Sequence, residues 1–160
     1  MITIRPYNSE DIPWLEESMG LFQDGLIASD VDGVLRKSED LAKRHMERAI
    51  ERVSKESGAF FVAEENGNQI GFVAGIIQFL NEVERLGSVN DRYGEVIELY
   101  VVEEYRGTDT ATMLMNELEI FFKENECPFV FLEVFAFNGR AKKFYEKVGY
   151  HERDYVMMKK

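Results

Sequence analysis

One cysteine, Cys127, is all that the 160 residues contain, so an internal disulfide is excluded and a reducing compartment, the cytoplasm, is expected. It precedes Pro128 at the entry to an apolar run and reads as a small buried residue rather than a nucleophile. Long apolar stretches are also missing, which predicts no membrane-spanning helix and no membrane partner. The start, Met1 to Pro6, lacks the basic opening and apolar core of a secretory signal, and its alternation predicts a strand. Basic side chains are scarce. Nineteen Lys and Arg against thirty Asp and Glu give a net charge of −11, which repels phosphate backbones and argues against nucleic acid. The same charge mildly favours a cationic partner, although excess acid also serves solubility alone. Repeats, low-complexity tracts and linkers are absent, so residues 1–160 are expected to form a single domain.

What is present alternates between strand and helix patterns. After the first strand, Asn8 or Ser9 caps a helix in which Ile12, Leu15, Met19 and Phe22 share a face. Asp24 to Lys37 has no sustained period and reads as a loop or broken helix, after which Ser38 caps a second helix. Asn66-Gly67 joins two β-rich runs, the residue pair that most favours a tight antiparallel hairpin. Asn81 to Tyr93 reads as a loop, Glu95 to Val102 as a strand, and the residues after Asp109 as a helix carrying Leu114, Leu118 and Phe122. Phe129 to Phe135 is nearly all apolar, as expected of a central strand reached by a crossover. Asn138 suits the cap of a last helix stopped by Gly149, and Tyr150 to Lys160 is expected to end the chain as a hairpin.

The strand-to-helix junction offers the clearest chemistry, because free amides at a helix start hold anions. It reads Leu99-Tyr100-Val101-Val102-Glu103-Glu104-Tyr105-Arg106-Gly107-Thr108-Asp109-Thr110-Ala111. With the later Asn138, Ala141, Phe144-Tyr145 and Gly149-Tyr150, this resembles the GCN5-related N-acetyltransferase (GNAT) superfamily over nearly the whole chain. The resemblance implies a three-layer α/β/α sandwich around a mixed, mostly antiparallel sheet. It also implies acetyl-coenzyme A as cosubstrate, its pyrophosphate wrapped by the amides of Arg106, Gly107, Thr108, Asp109, Thr110 and Ala111. Asp109 occupies the position where the family pattern has an inner glycine. Its carboxylate either repels the pyrophosphate or turns outward and caps the helix.

By the same resemblance, the backbone of Leu99, Tyr100 and Val101 polarises the thioester carbonyl, and Asn138 contacts the pantetheine region or serves as an N-cap. Glu98 removes a proton from the attacking primary amine, and Tyr145 donates one to the departing sulfur. A glutamate inside an apolar strand must be hydrated, paired or useful, and a protonated amine has no lone pair with which to attack. Glu133, on the next strand, is the rival base. Pairing of Glu98 with a basic group, and simple packing of Tyr145 beside Phe144, remain the structural alternatives. His45 reads as packed or hydrogen-bonded on a helix face, and Asp30, Asp32 and Gly33 fail as a calcium loop because Leu41 stands where its glutamate would be, so no metal is expected. The expected activity is direct acetyl transfer to an amine. The alternative is a noncatalytic acyl-coenzyme A binding module, and a homodimer is compatible with either.

Overall fold

A computed structural model describes residues 1–159. Five strands form one sheet in the order β1-β2-β3-β4-β5: β1 (Ile2–Pro6), β2 (Ala59–Glu65), β3 (Asn68–Phe79), β4 (Arg92–Val101) and β5 (Val130–Leu132). The first four are antiparallel neighbours, and β5 runs parallel to β4. Asn66 and Gly67 both adopt positive φ, 53° and 78°, the backbone that a two-residue hairpin requires between β2 and β3.

Helices cover both faces, giving the expected three layers. Helices α1 (Ile12–Ser29) and α2 (Leu41–Lys55) place Leu15, Met19, Met46, Ala49 and Val53 against Phe60, Phe72, Ala74, Ile76 and Tyr100. Helix α4 (Thr110–Glu124) buries Leu114, Met115, Leu118 and Phe122 against Val73, Ile77 and Val96 on the opposite face. Helix α5 (Gly139–Lys147) adds Phe144 and Tyr145 to that second core. Each fully buried side chain of this size contributes about 1.5–3 kcal/mol, so the two cores together hold the sheet. A buried Asp11 takes two 2.7 Å bonds from the Arg5 guanidinium, which holds its carboxyl down near a pKa of about 2 and ties β1 to the start of α1.

Several boundaries differ from the sequence reading. Asn8 caps a 3-10 turn, Ser9–Asp11, from which α1 continues unbroken through Gly25 to Ser29. The expected loop after Asp24 therefore shrinks to the residues beyond Ser29, where the Asp30 carboxylate accepts from the amides of Asp32, Val34 and Leu35. Asp40 rather than Ser38 precedes α2. The Asn81 to Tyr93 region holds a short helix, α3 (Glu82–Leu86), capped by Asn81 and Glu84, and β4 starts at Arg92 rather than Glu95.

The apolar run from Phe129 to Phe135 is not a central strand. Only Val130–Leu132 pairs, at the sheet edge, while Phe129, Val134 and Phe135 are exposed. The expected C-terminal hairpin does not form among residues 151–159, which carry no strand, and Lys160 lies outside the described residues. β5 is therefore the edge of the sheet, and residues 151–159 add no strand to it.

Candidate active site

One irregularity in β4 builds the site. Ala74 of β3 faces Glu98, but Gly75 faces Val96, which leaves Ile97 as an extra residue on β4. Such a bulge reverses the alternation of the strand that carries it. Ahead of it, Gly94 and Val96 point toward α4; beyond it, Tyr100 joins the core under α1 and α2, and Glu98 meets α2. Glu95 and Glu98, which plain alternation would put on opposite faces, both bond to residues of α2.

The Glu98 partner is His45, whose Nε2 lies 2.5 Å from Glu98 Oε1. Glu98 is 9% exposed and His45 is 44% exposed, so the pair runs from the interior to water. The bond to Glu98 raises the His45 pKa above the ordinary imidazole value, against the lowering effects of burial and of the Arg48 charge. On the same stripe of α2, Arg52 bonds Glu56 at 3.0 Å and Glu95 at 3.3 Å. Between His45 and Arg52 sits Arg48, whose guanidinium has no hydrogen bond or ion pair among the described residues. These side chains, with Glu95, Glu98 and Glu133, line a cavity of about 250 Å³.

The cavity opens where two strands part. β5 pairs with β4 only from Gly94 to Val96, and β4 runs on to Val101 without a neighbour on that side. Glu133 is the first residue past β5, exposed, and shares the cavity with Glu98, so the two carboxylates considered as rivals lie in one cleft. Leu99 and Val101 pack partly toward α4, whereas the Tyr100 ring is buried 5.6 Å from that of Phe72.

Beyond β4, the chain makes a 3-10 turn at Glu103–Tyr105 and passes through Gly107 at φ 85°, a left-handed conformation that glycine tolerates best. Arg106, though exposed, folds back onto the strand. Its Nε donates to the Val101 carbonyl at 3.1 Å and its guanidinium lies 6.0 Å from the Tyr100 ring centre, which fastens the turn to the strand. Asp109 occupies the N-cap of α4 but its side chain makes no capping bond, so that possibility is corrected. The hydroxyl of Thr108 takes the task, accepting from the Thr110 amide at 3.3 Å and donating to the Tyr105 carbonyl at 2.7 Å. The first helical bond is donated by Met113, so the amides of Ala111 and Thr112 have no protein acceptor among the described residues.

Tyr145 of α5 packs against the α4-side core, its ring 5.4 Å from Phe144 and 5.9 Å from Tyr150. Its hydroxyl makes no hydrogen bond among the described residues, and burial, followed by the negative charge of Glu98, pushes its pKa up to about 12. Asn138 caps α5, its side chain accepting from the Ala141 amide at 3.2 Å.

His45 and Arg48 were the functional candidates that sequence reading missed. The signal was present as polar residues at positions 45, 48 and 52, three to four apart beside the apolar stripe of α2, but their partners are distant in sequence. The pairing predicts a pH-dependent contribution to stability. Because folding raises the His45 pKa, the ion pair stabilises fully below the unfolded imidazole value of about 6.5 and fades as pH rises through the folded value. In chemical denaturation, the advantage of the wild type over His45→Gln is expected to be largest between about pH 5 and 6.5 and to shrink above that window. A gap that stays constant with pH would mean that His45 does not titrate against Glu98.

A mixed sheet whose parallel pair splays beside a glycine-bearing turn and the free amides of a helix defines the acyl-coenzyme A N-acyltransferase class of fold. Residues 27–150 match the family model described as the Acetyltransferase (GNAT) family, and the chain belongs to that family. An uncharacterized N-acetyltransferase of Methanocaldococcus jannaschii is 34% identical over 95 residues, 59% of this chain and 53% of that protein. The chain spans about half the length of the curated relatives it matches, 53% and 44% of two from that organism. Among solved structures, a mutant of a Bacillus halodurans protein aligns with a TM-score of 0.84 at 18% identity, covering 99% of this chain and 98% of the other. A predicted acetyltransferase with acetyl-CoA from Clostridium acetobutylicum aligns at 0.73 and 18% identity, covering 100% and 96%.

Proposed function

We propose that the protein is an N-acetyltransferase that moves an acetyl group from acetyl-coenzyme A directly to a primary amine. The observation that carries this reading is the parting of β4 and β5 beside a cavity that Glu98 lines, with Tyr145 of α5 near enough for the Glu98 charge to act on its hydroxyl. The free amides of Ala111 and Thr112 and the positive end of α4 suit the pyrophosphate. The unpaired edge of β4 beyond Val96, in the stretch of Leu99 to Val101, supplies amides for the thioester oxygen.

Within this cleft, a cationic amine is drawn by the carboxylates of Glu98 and Glu133 and gives up a proton to Glu98. His45, which reaches solvent, gives up its own proton there and takes the one from Glu98. The neutral amine then attacks the thioester carbon; as the C–N bond forms the C–S bond breaks, coenzyme A leaves as the thiolate, and the nitrogen loses its second proton to solvent, giving the amide. With its raised pKa, Tyr145 acts by hydrogen-bonding the sulfur as negative charge builds there. Complete proton transfer to a thiolate of pKa about 8.5 would be uphill from such a phenol.

Titration calorimetry with acetyl-coenzyme A, followed by amine-dependent release of free thiol, tests the proposal. Saturable binding with turnover is expected; binding without turnover across amine classes would favour the noncatalytic acyl-coenzyme A module instead. Removing the carboxylate at Asp109 should relieve repulsion at the turn, so Asp109→Gly is expected to bind acetyl-coenzyme A about three- to tenfold more tightly. Weaker binding would show that Asp109 serves the turn rather than opposing the anion.

A further inference from the structure

The three polar residues on the α2 stripe do not have equal duties. His45 is committed to Glu98, and Arg52 is committed to Glu56 and Glu95; Glu95 in turn accepts from Gln78 at 2.8 Å. Arg48 lies between these two bridges, on the cavity wall, with five donors and no acceptor of its own. A guanidinium left open beside a cavity matches a carboxylate in geometry and charge. In the same cavity, Glu98 and Glu133 match an ammonium. One cavity thus presents an anion acceptor, Arg48, and cation acceptors, Glu98 and Glu133.

From this arrangement we infer that the acceptor is a small carboxylate-bearing amine, a free α-amino acid, with its amine at Glu98 and its carboxylate on Arg48. The inference rests on the acetyltransferase reading and narrows it. A polyamine would bring a second ammonium against Arg48, a repulsive placement. A cavity of about 250 Å³ also falls below the usual range for drug-sized ligands and suits a molecule of one amino acid's bulk.

The test compares each amino acid with its own amide, and with the corresponding decarboxylated amine, as acceptors in the thiol-release assay. For the preferred side chain, kcat/KM for the acid is expected to exceed that for both neutral-ended analogues by at least about tenfold. Arg48→Ala should bring that ratio near one, and Arg48→Glu should reverse it in favour of the decarboxylated amine. The ratio within each variant cancels any general loss of activity or folded protein. Calorimetric titration of the same acid and amide onto protein loaded with coenzyme A reads the preference independently of turnover. A wild type that prefers the amide, a polyamine or a peptide N-terminus overturns the inference while leaving acetyl transfer intact, as does a ratio unchanged by Arg48→Ala. Selective binding of the acid without thiol release would instead sink the catalytic reading and keep the ligand class.

Discussion

Glu98→Gln lowers kcat/KM for a Lys-like amine at neutral pH by about 10²- to 10⁴-fold, the range a positioned general base supplies, with little change in acetyl-coenzyme A affinity. The expectation follows from where the carboxylate sits: 9% exposed, in the cavity, with one oxygen on His45. Glutamine keeps the shape and a hydrogen bond but accepts no proton. An acceptor that is already neutral at the assay pH bypasses that step, so the penalty should shrink to under about tenfold for an amine whose pKa lies near 7. An equal loss with both amines would assign Glu98 to positioning or folding. Should Glu98→Gln be silent while Glu133→Gln is severe, the base is Glu133, which faces the same cavity. Tyr145→Phe is expected to cost only about tenfold, since the thiolate leaves readily and the phenol contributes a hydrogen bond.

Phe122→Ala destabilises the fold by about 3–5 kcal/mol, measured by chemical denaturation. Its ring is fully buried and sits on bare backbone. A Cβ placed on Gly94 would lie 2.6 to 2.7 Å from three ring atoms, and one on Gly75 would lie 2.6 Å from the ring tip. These two glycines belong to the neighbouring strands β4 and β3, so together they form a floor for the ring. Gly94→Ala should therefore cost about 1–3 kcal/mol by overpacking. Combined with Phe122→Leu, which vacates part of that space, it should cost clearly less than the sum of the two single changes. Strict additivity would mean that the ring and Gly94 do not compete for the same volume.

Much of the architecture was legible because it rests on local signals. Asn66-Gly67 announced the hairpin, the spacing of Leu114, Leu118 and Phe122 announced α4, and a strand, helix, strand order implied the parallel pairing of β4 and β5. The errors fall where tertiary context decides. Gly25 looked like a breaker, yet α1 carries it because Leu15 and Met19 are anchored in the core. Phe129 to Phe135 looked like a buried strand because it is apolar, but no strand lies beyond β5 to cover it. The candidate site divides the same way. Glu98 stood out as a charge inside an apolar run and proved to share its cavity with Glu133, whereas His45 and Glu98 were each expected to be hydrogen-bonded or paired, but the pair joins residues 53 apart in sequence, so neither pointed to the other. Asp109 was recognised as a departure from the family pattern, but that Thr108 takes over the cap depends on the path of the turn.

The extra residue at Ile97 gives β4 two allegiances. Before it the even-numbered residues Gly94 and Val96 face α4, and after it the even-numbered Glu98 and Tyr100 face the α1 and α2 side, although the backbone is one continuous strand. Pairing Ile97 with Ala74 in an ordinary ladder would instead carry the carboxylate of Glu98 round to the layer occupied by α4, away from His45 and the cavity. A local imperfection in hydrogen bonding is thus what brings the Glu98 carboxylate to the side of the sheet where His45 and the cavity lie.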